Sequence, residues 1–255
     1  MEYDEAYGYL LNIMEELHHY IVPLYKRNHL DKIFEYVGSS VLCNIYGLKV
    51  LITAAHVLSK VQPEKLYLPY SEDKFIELPS NEIVITENDI DIGFAILAID
   101  LPLYLSVDIS KMGSFSSDEK FQHILVGCPG SSTKHSDRTT QKTTIQGYVT
   151  SASEGSEYIR LNVDMHEKLI VKFNKEKVYR ENKKEFTFPN PNGMSGGGIF
   201  QFDENNAIKF ELVGIMTDWD TSKKNAIIGA RIDNILNKYL RIEKKEVDST
   251  TKCKD

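Results

Sequence analysis

The chain lacks a long apolar run and an excess of basic residues. No stretch approaches the roughly 18 consecutive apolar residues that predict a membrane-spanning helix. The formal net charge is −7, from 37 acidic and 30 basic side chains, whereas phosphate binding requires a concentrated basic face. We therefore expect a protein that binds neither a membrane nor a nucleic acid.

Cysteine is also scarce, with Cys43, Cys128 and Cys253 widely spaced along 255 residues. An odd number of cysteines at such spacing is a poor disulfide framework for a chain of this size. The first residues, from Met1 to Glu5, are acidic, whereas a secretory signal opens with basic residues and an apolar run. We expect three free thiols and a location in the reducing cytoplasm.

The chain does contain enough apolar sequence for a sizeable core. Hydrophobic residues make up 42% of it and charged residues 26%, which is typical of a globular protein and not of a disordered one. At this length, one two-lobed domain and two separate domains are equally consistent with the sequence. Neither a cofactor nor a metal is expected.

Apolar residues recur at helical spacing over residues 6–26 and predict an amphipathic helix. Asp4 is suited to cap its N-terminus, and Pro23 to end or kink it. Two alternatives are open for the apolar face: it packs against the protein's own core, or it docks a regulatory partner. The apolar residues are Leu10, Ile13, Met14, Leu17, Tyr20, Ile21 and Leu24.

From about residue 34 the pattern changes to short runs of β-forming residues separated by polar turns. Such runs predict a β-sandwich or a closed barrel. Gly47 and Leu48 lie between two of the runs and predict a hairpin. The predicted strands are 40–46, 49–53, 66–68, 75–78, 83–86, 92–99, 121–127, 143–151, 158–162, 199–202, 210–216 and 226–231.

Polar segments divide these runs. Residues 110–119 are typical of a linker, and residues 129–142 of a polar loop. Asp233 is suited to cap a last helix, whose buried residues would be Ile235, Leu236, Tyr239 and Leu240. The predicted units are an N-terminal helix (1–33), two β units (34–115 and 116–236), and the end of the last helix with a charged tail (237–255).

Three segments carry side chains that together suit nucleophilic catalysis. His56 follows a β-rich run and two alanines, Asp91 precedes an apolar strand, and Ser195 lies in the glycine-rich segment 192–198. These are the groups that convert a hydroxyl into a nucleophile. Asp91 is preferred to Asp89 because apolar and small residues follow it, as in a buried turn. Taken singly, each segment is also typical of a structural histidine, a loop acid or a glycine turn.

In their order and flanking residues, these segments resemble the chymotrypsin-like serine proteases, and more closely their bacterial trypsin-like and HtrA-like branch. The resemblance covers about residues 37–236. The matching segments are Thr53-Ala54-Ala55-His56, Asp91-Ile92-Gly93, Leu125-Val126-Gly127-Cys128-Pro129-Gly130, Gly193-Met194-Ser195-Gly196-Gly197 and Val213-Gly214-Ile215-Met216-Thr217.

The resemblance implies two six-stranded antiparallel β-barrels with the active site between them, beside an extra N-terminal helix and a C-terminal helix. It implies that His56 is the general base and then the acid, Asp91 its orienting carboxylate, and Ser195 the nucleophile. The amides of Gly193 and Ser195 would form the oxyanion hole. The implied substrate cleft contains Pro189, Asn190, Thr217, Asp218 and Trp219.

Three positions depart from the family pattern. Met194 stands where many members have an aspartate that pairs with a newly cut N-terminus, so activation by that ion pair is not expected. Pro189 stands where trypsin has an acid, so a preference for Arg or Lys is not supported. Trp219 stands where small residues are common and would narrow the pocket, while Asp218 and Asp220 would attract a basic group or face water.

The expected activity is that of a cytosolic serine endopeptidase, which cleaves a protein or peptide substrate through an acyl-enzyme. One alternative is a binding or regulatory module that keeps the protease fold without turnover. Another is an esterase-type acyl hydrolase that uses the same three side chains on a different substrate.

Overall fold

The computed structural model describes most of the chain and is mostly β. No helix within the described part is both long and apolar enough to cross a membrane. Tyr239, Leu240, Cys253 and the expected charged tail lie outside the described residues. Those residues are 12–27, 33–59, 65–71, 74–78, 83–86, 90–130, 134–137, 140–174, 178–179, 185–186, 188–203, 209–223 and 225–236.

Strands alternate with a few short helices. The helices are α1 (residues 12–18), α2 (Ala55–Ser59), α3 (Gly155–Leu161) and α4 (Ile232–Ile235), with a 3-10 turn at Ile109–Lys111. The strands are β1 (Ile21–Arg27), β2 (Phe34–Ile45), β3 (Leu48–Ala54), β4 (Leu66–Ser71), β5 (Lys74–Glu77), β6 (Ile83–Thr86), β7 (Ile92–Leu97), β8 (Val107–Asp108), β9 (Phe121–Gly127), β10 (Lys134–Asp137), β11 (Thr140–Lys142), β12 (Gln146–Thr150), β13 (Lys168–Lys172), β14 (Val178–Tyr179), β15 (Glu185–Phe186), β16 (Gly198–Asp203), β17 (Phe210–Trp219) and β18 (Ala226–Arg231).

These strands form two large sheets and the small pair β14–β15. Sheet A has the order β5-β4-β1-β2-β3-β7-β6, with β8 and β11 pairing to β2 and β10 pairing to β11. Sheet B has the order β12-β9-β16-β17-β18-β13 and curls into a half-barrel. Over the described ranges sheet A is open, so the two closed barrels implied by the resemblance are not observed.

The predicted helix over residues 6–26 is wrong from residue 21 onward, because residues 21–27 form β1, and its first residues, 6–11, lie outside the described residues. This strand pairs antiparallel with β2, with Ile21 opposite Val41 and Pro23 opposite Ser39. Pairing with β4 on the other side begins only at Tyr25. Pro23, which has no amide hydrogen to donate, therefore lies on an edge where a donor is not needed. Strand pairing has overridden helical spacing here.

Helix α1 packs into the protein's own core, which was the first of the two alternatives. Ile13 is 5% exposed and Leu17 is fully buried. Both belong to the main apolar cluster, which contains Ile52 of sheet A and Leu212 of sheet B. Helix α1 thus fills space between the sheets, and residues of its buried face are not available to a partner.

The predicted hairpin at residues 40–53 is confirmed as β2 and β3, but its turn lies one residue earlier than the predicted Gly47-Leu48. Its two turn residues, Tyr46 and Gly47, have φ of +51° and +88°, as the tight turns favoured by twisted hairpins require. The Gly47 amide donates to Asn44 Oδ1 at 3.1 Å. The hairpin matters to function because β3 leads directly into His56.

Three other predictions need correction. Residues 158–162, predicted as a strand, lie mostly in α3, where Glu157 pairs with Arg160 one turn on and Asn162 ends the helix with φ of +52°. Residues 129–142, predicted as a loop, contain the hairpin β10–β11. The last helix starts after Arg231, so Asp233 lies within its first turn and is not its cap.

The segment that was predicted as a linker, residues 110–119, is tied to sheet B. Met112 forms a bridge with Leu212, and the Ser116 amide donates to the Gln201 side chain at 2.8 Å. The main apolar cluster continues across this connection from one sheet to the other. The sheets therefore share a core, and a cleft at their junction has walls from both.

Cys43 and Cys128 are buried free thiols, as expected for these two residues. Burial raises the pKa of the Cys128 thiol to about 12 and that of Cys43 further still. Both thiols therefore stay protonated and unreactive at neutral pH.

Candidate active site

His56 lies in the first turn of α2, directly after β3. Strand β3 pairs antiparallel with β7 so that Ala54 is opposite Ile92. This register brings the residue before β7, Asp91, beside the start of α2. The Ala55 amide donates to the Asp91 carbonyl oxygen at 3.1 Å. Two segments 35 residues apart are thereby held together by a ladder that their apolar strands form.

Asp91 contacts His56 through both carboxylate oxygens. Oδ2 lies 2.6 Å from the ring Nδ1, and Oδ1 accepts a hydrogen bond from the His56 main-chain amide at 2.9 Å. Asp91 has φ of +58°, an uncommon conformation for a residue other than glycine and one found at functional sites. The side chains are 33% and 29% exposed, so the ring is held in place and still faces solvent. Asp89 lies outside the described residues.

Ser195 lies on the tight turn that precedes β16. Gly193 and Gly196 in this turn have φ of +96° and +87°, which glycine adopts without strain. A Cβ on Gly196 would lie 1.9 Å from the Ser39 carbonyl oxygen, so no other residue fits there. Ser195 Oγ donates to the Thr217 carbonyl oxygen at 3.5 Å, a long and weak hydrogen bond.

The amides of Gly193 and Ser195 point away from the groups that donate hydrogen bonds to the carbonyl oxygens of Asn192 and Met194. The Asn192 carbonyl accepts a hydrogen bond from Gly130 at 2.6 Å, and the Met194 carbonyl accepts one from the amide three residues on at 2.8 Å. In a trans peptide the N–H points opposite to the C=O, so both amides point away from these donors. Neither amide has a hydrogen-bond acceptor within the described part of the chain.

Two residues of β2 hold the carbonyl groups of this turn. Tyr36 Oη donates to the carbonyl oxygens of Gly193 and of Cys128, the latter at 2.8 Å. The Ser39 amide donates to the Ser195 carbonyl oxygen at 2.9 Å. Sheet A therefore fixes the main chain around a serine that belongs to sheet B. Burial raises the pKa of the Tyr36 hydroxyl well above its usual range, so it remains a donor.

The Met194 side chain lies beneath the turn. This residue occupies the position at which many members of the resembled family have an ion-pairing aspartate. Its side chain is 2% exposed and packs in an apolar cluster of sheet B with Met216 and Ile199. The turn is thus held by packing from below and by hydrogen bonds from Tyr36 and Ser39. Sequence reasoning missed these last two residues because neither lies in a recognisable motif.

A cavity of about 590 Å³ joins these groups. The three predicted catalytic side chains, His56, Asp91 and Ser195, all line this cavity. Of the five predicted cleft residues, Thr217, Asp218 and Trp219 line it, whereas Pro189 and Asn190 do not. Its other lining residues are Asn192, Gly193, Met194 and Met216, which lie in the predicted segments, and Lys168, Pro191, Thr221 and Ile227, which sequence reasoning missed.

Asp220 follows Trp219 but does not line this cavity. Its carboxylate is buried and accepts hydrogen bonds from Arg160 at 2.7 Å and from the Ser222 hydroxyl at 2.6 Å. Burial alone would raise the pKa of this carboxyl, but the hydrogen bonds outweigh it and lower the pKa to about 2. Asp220 therefore anchors the turn after β17. A second cavity, of about 610 Å³, lies beside α3 and contains none of the three predicted catalytic side chains.

Compared with models of known protein families and with curated proteins, the sequence shows no match.

Proposed function

We propose that the protein is a serine hydrolase, and specifically an endopeptidase that works through an acyl-enzyme. The observation that carries the proposal is the double contact of Asp91 with His56 in a cavity that Ser195 also lines. A histidine with a structural role needs neither an open cavity nor a serine in the lining of that cavity. The three groups match the requirements for activating a hydroxyl.

In this mechanism Asp91 keeps a proton on Nδ1 of His56, which leaves Nε2 free to act as the base. His56 accepts the hydroxyl proton as Ser195 Oγ bonds to the scissile carbonyl carbon. The C–N bond then breaks as His56 returns the proton to the leaving amine. Water, activated by the same ring, hydrolyses the acyl-enzyme. The amides of Gly193 and Ser195 stabilise the oxyanion in both steps.

A segment of β17 that lies beyond its pairing with β16 favours a peptide over a small ester as substrate. Strand β17 pairs with β18 as far as Trp219, but with β16 only as far as Ile215. The edge of residues 217–219 beside the cavity is thus available to an extended peptide, which binds by adding a strand to such an edge. This feature supports a protease over an esterase.

We also propose that sheets A and B correspond to the two barrels of the chymotrypsin-like family. A bridge between Ala152 and Val171 links the segment after β12 to β13, the two ends of sheet B. The position of the candidate site at the junction of the sheets agrees with this assignment. Buried thiols at Cys43 and Cys128 fit activity in the cytoplasm.

A fluorophosphonate probe and a peptide library test the proposal together. We expect covalent labelling of Ser195 and cleavage within peptides. Ser195→Ala should remove both while the melting temperature is kept, since losing such a nucleophile costs on the order of 10⁶ in turnover. Labelling with hydrolysis only of small esters would favour the esterase.

A catalytically latent module is the second candidate, favoured by the hydrogen bond from Ser195 to Thr217 in place of one to His56. A well-folded wild-type protein that neither reacts with the probe nor cleaves peptides would support this candidate and exclude the enzyme.

A further inference from the structure

The walls of the cavity beside Ser195 converge at one end and are bridged at the other. One wall is the turn 191–196 and the other is the end of β17. At the converging end, the Gly196 amide donates to the Met216 carbonyl oxygen at 2.7 Å. At the far end, Trp219 Nε1 donates to Asn192 Oδ1 at 3.0 Å. The two segments and these two hydrogen bonds form a closed ring, which we call the Trp219–Asn192 ring.

The bridge joins two segments whose main chains are themselves held. Trp219 pairs with Ile227 of β18, and its amide donates to Asp218 Oδ1 at 2.7 Å. The indole is only partly exposed and packs against the apolar cluster of sheet B. On the opposite wall, the Asn192 amide donates to Asn190 Oδ1 at 3.1 Å. An indole held in this way closes space that a substrate side chain would otherwise enter.

Charge does not offer an alternative basis for selecting a side chain at this place. One cation, Lys168, and one carboxylate, Asp218, line the cavity in addition to the His56–Asp91 pair. The remaining side chains that line the cavity are uncharged, and Met216 and Ile227 among them are apolar. The size of the opening therefore decides which residue is accepted.

We propose that the Trp219–Asn192 ring restricts cleavage to peptides with a small residue, glycine, alanine or serine, directly before the scissile bond. This inference rests on the proposed peptidase function. A small side chain fits within the ring without displacing the indole, whereas a large one must break the Trp219–Asn192 bond and uncover apolar surface. Trp219 thus acts on specificity and takes no part in the chemical step.

The test is a peptide library varied at the residue before the scissile bond, with active enzyme counted by fluorophosphonate labelling. Wild type should prefer alanine to leucine and phenylalanine. Trp219→Ala should open an apolar pocket and shift the ratio of kcat/KM toward the large residues by about tenfold or more, the scale on which apolar pockets discriminate size. Asn192→Ala should shift the ratio in the same direction, because the indole loses its anchor.

Asp218→Asn is the matched control, since it removes the charge and keeps the oxygen that accepts from the Trp219 amide. It should leave the size ranking unchanged. A Trp219→Ala enzyme that labels fully but keeps the wild-type ranking overturns the inference while the proposed function stands. A size ranking that changes in Asp218→Asn and not in Asn192→Ala likewise overturns the inference, and would indicate that charge selects the substrate residue.

Failure of the proposed function gives a different result, since the wild-type protein would then not label. Binding still tests the ring, because Trp219 is the single tryptophan of the chain and its fluorescence reports on the cavity. Ser195→Ala protein should bind alanine-containing peptides with little change in emission. Leucine peptides that bind as tightly as alanine peptides would overturn the inference.

Discussion

Tyr36 Oη donates a hydrogen bond to the carbonyl oxygen of Gly193, and so connects β2 of sheet A to the turn that carries the candidate nucleophile. The peptide that follows this carbonyl leads into Met194, which has no charge to pair with a chain terminus. The Tyr36 hydroxyl thus restrains this turn from a folded strand of the other sheet.

Tyr36→Phe should therefore lower kcat by about one order of magnitude with little change in KM. The variant removes the hydroxyl that donates to the Cys128 and Gly193 carbonyl oxygens, a loss on the scale of about 1–3 kcal/mol, and should loosen the amides that we propose bind the oxyanion. Steady-state kinetics measure the effect. Tyr25→Phe is the matched control. The ring of Tyr25 packs edge-on against that of Tyr36, with 5.8 Å between the ring centroids, but Tyr25 does not form a hydrogen bond to the turn. Equal kcat losses in both variants would contradict a positioning role for Tyr36.

Asp91→Asn should reduce turnover by about 10⁴ by favouring the wrong tautomer of the His56 ring. The substitution keeps the shape and one hydrogen-bond acceptor, so the melting temperature should fall only slightly. Asp89→Asn provides the control, and should leave turnover near that of wild type. If Asp89→Asn were the damaging change, the acid that orients His56 would have been assigned wrongly.

Stability should fall as the pH drops from about 6.5 to about 4, because of His123. This residue of β9 is fully buried, and burial lowers the pKa of its ring to about 4, partly offset by Ser116 and Gln201. The unfolded chain takes up a proton near pH 6.5 and the folded protein only near pH 4. The folded state therefore loses about 3 kcal/mol across this window, and no more below it.

Urea unfolding at pH 7, 5.5 and 4 measures the contribution of His123. His123→Gln should be less stable at pH 7 and show a flatter dependence on pH. His166→Gln is the control, since His166 is exposed and should keep the wild-type slope. An unchanged slope in His123→Gln would show that other groups cause the loss.

The N-terminal segment should support the fold and not regulate activity. Leu17→Ala should destabilise the protein by about 2–5 kcal/mol, the range for removing a large buried apolar side chain. Glu15→Ala, on the exposed face of α1, should change stability little. Thermal melting compares the two variants.

Deletion of residues 1–30 gives the stricter test of the N-terminal segment. It removes β1 as well as α1, and should yield aggregated, inactive protein. A soluble, folded truncation with altered peptide cleavage would instead support a regulatory role for the N-terminal segment.

The sequence by itself determined the features that depend on residues adjacent along the chain. The hairpin turn needs a positive φ at Gly47, and the turn around Ser195 needs positive φ at Gly193 and Gly196; glycine meets these requirements by residue type alone. His56, Asp91 and Ser195 could also be selected from flanking sequence. The alternation of side chains sets the register in which the flanking apolar strands pair. This register brings the three residues into one cavity.

The tertiary structure decided the features that depend on which segments meet. Residues 21–27 have helical spacing, yet β2 offers a full ladder of hydrogen bonds and makes them a strand. Residues 158–162 have strand-like composition, yet Tyr158 is buried against Ile170 and α3 forms. The Tyr36–Gly193 and Trp219–Asn192 hydrogen bonds join residues 157 and 27 positions apart. Such contacts have no local signal, because their free energy arises only once the two segments have been brought together.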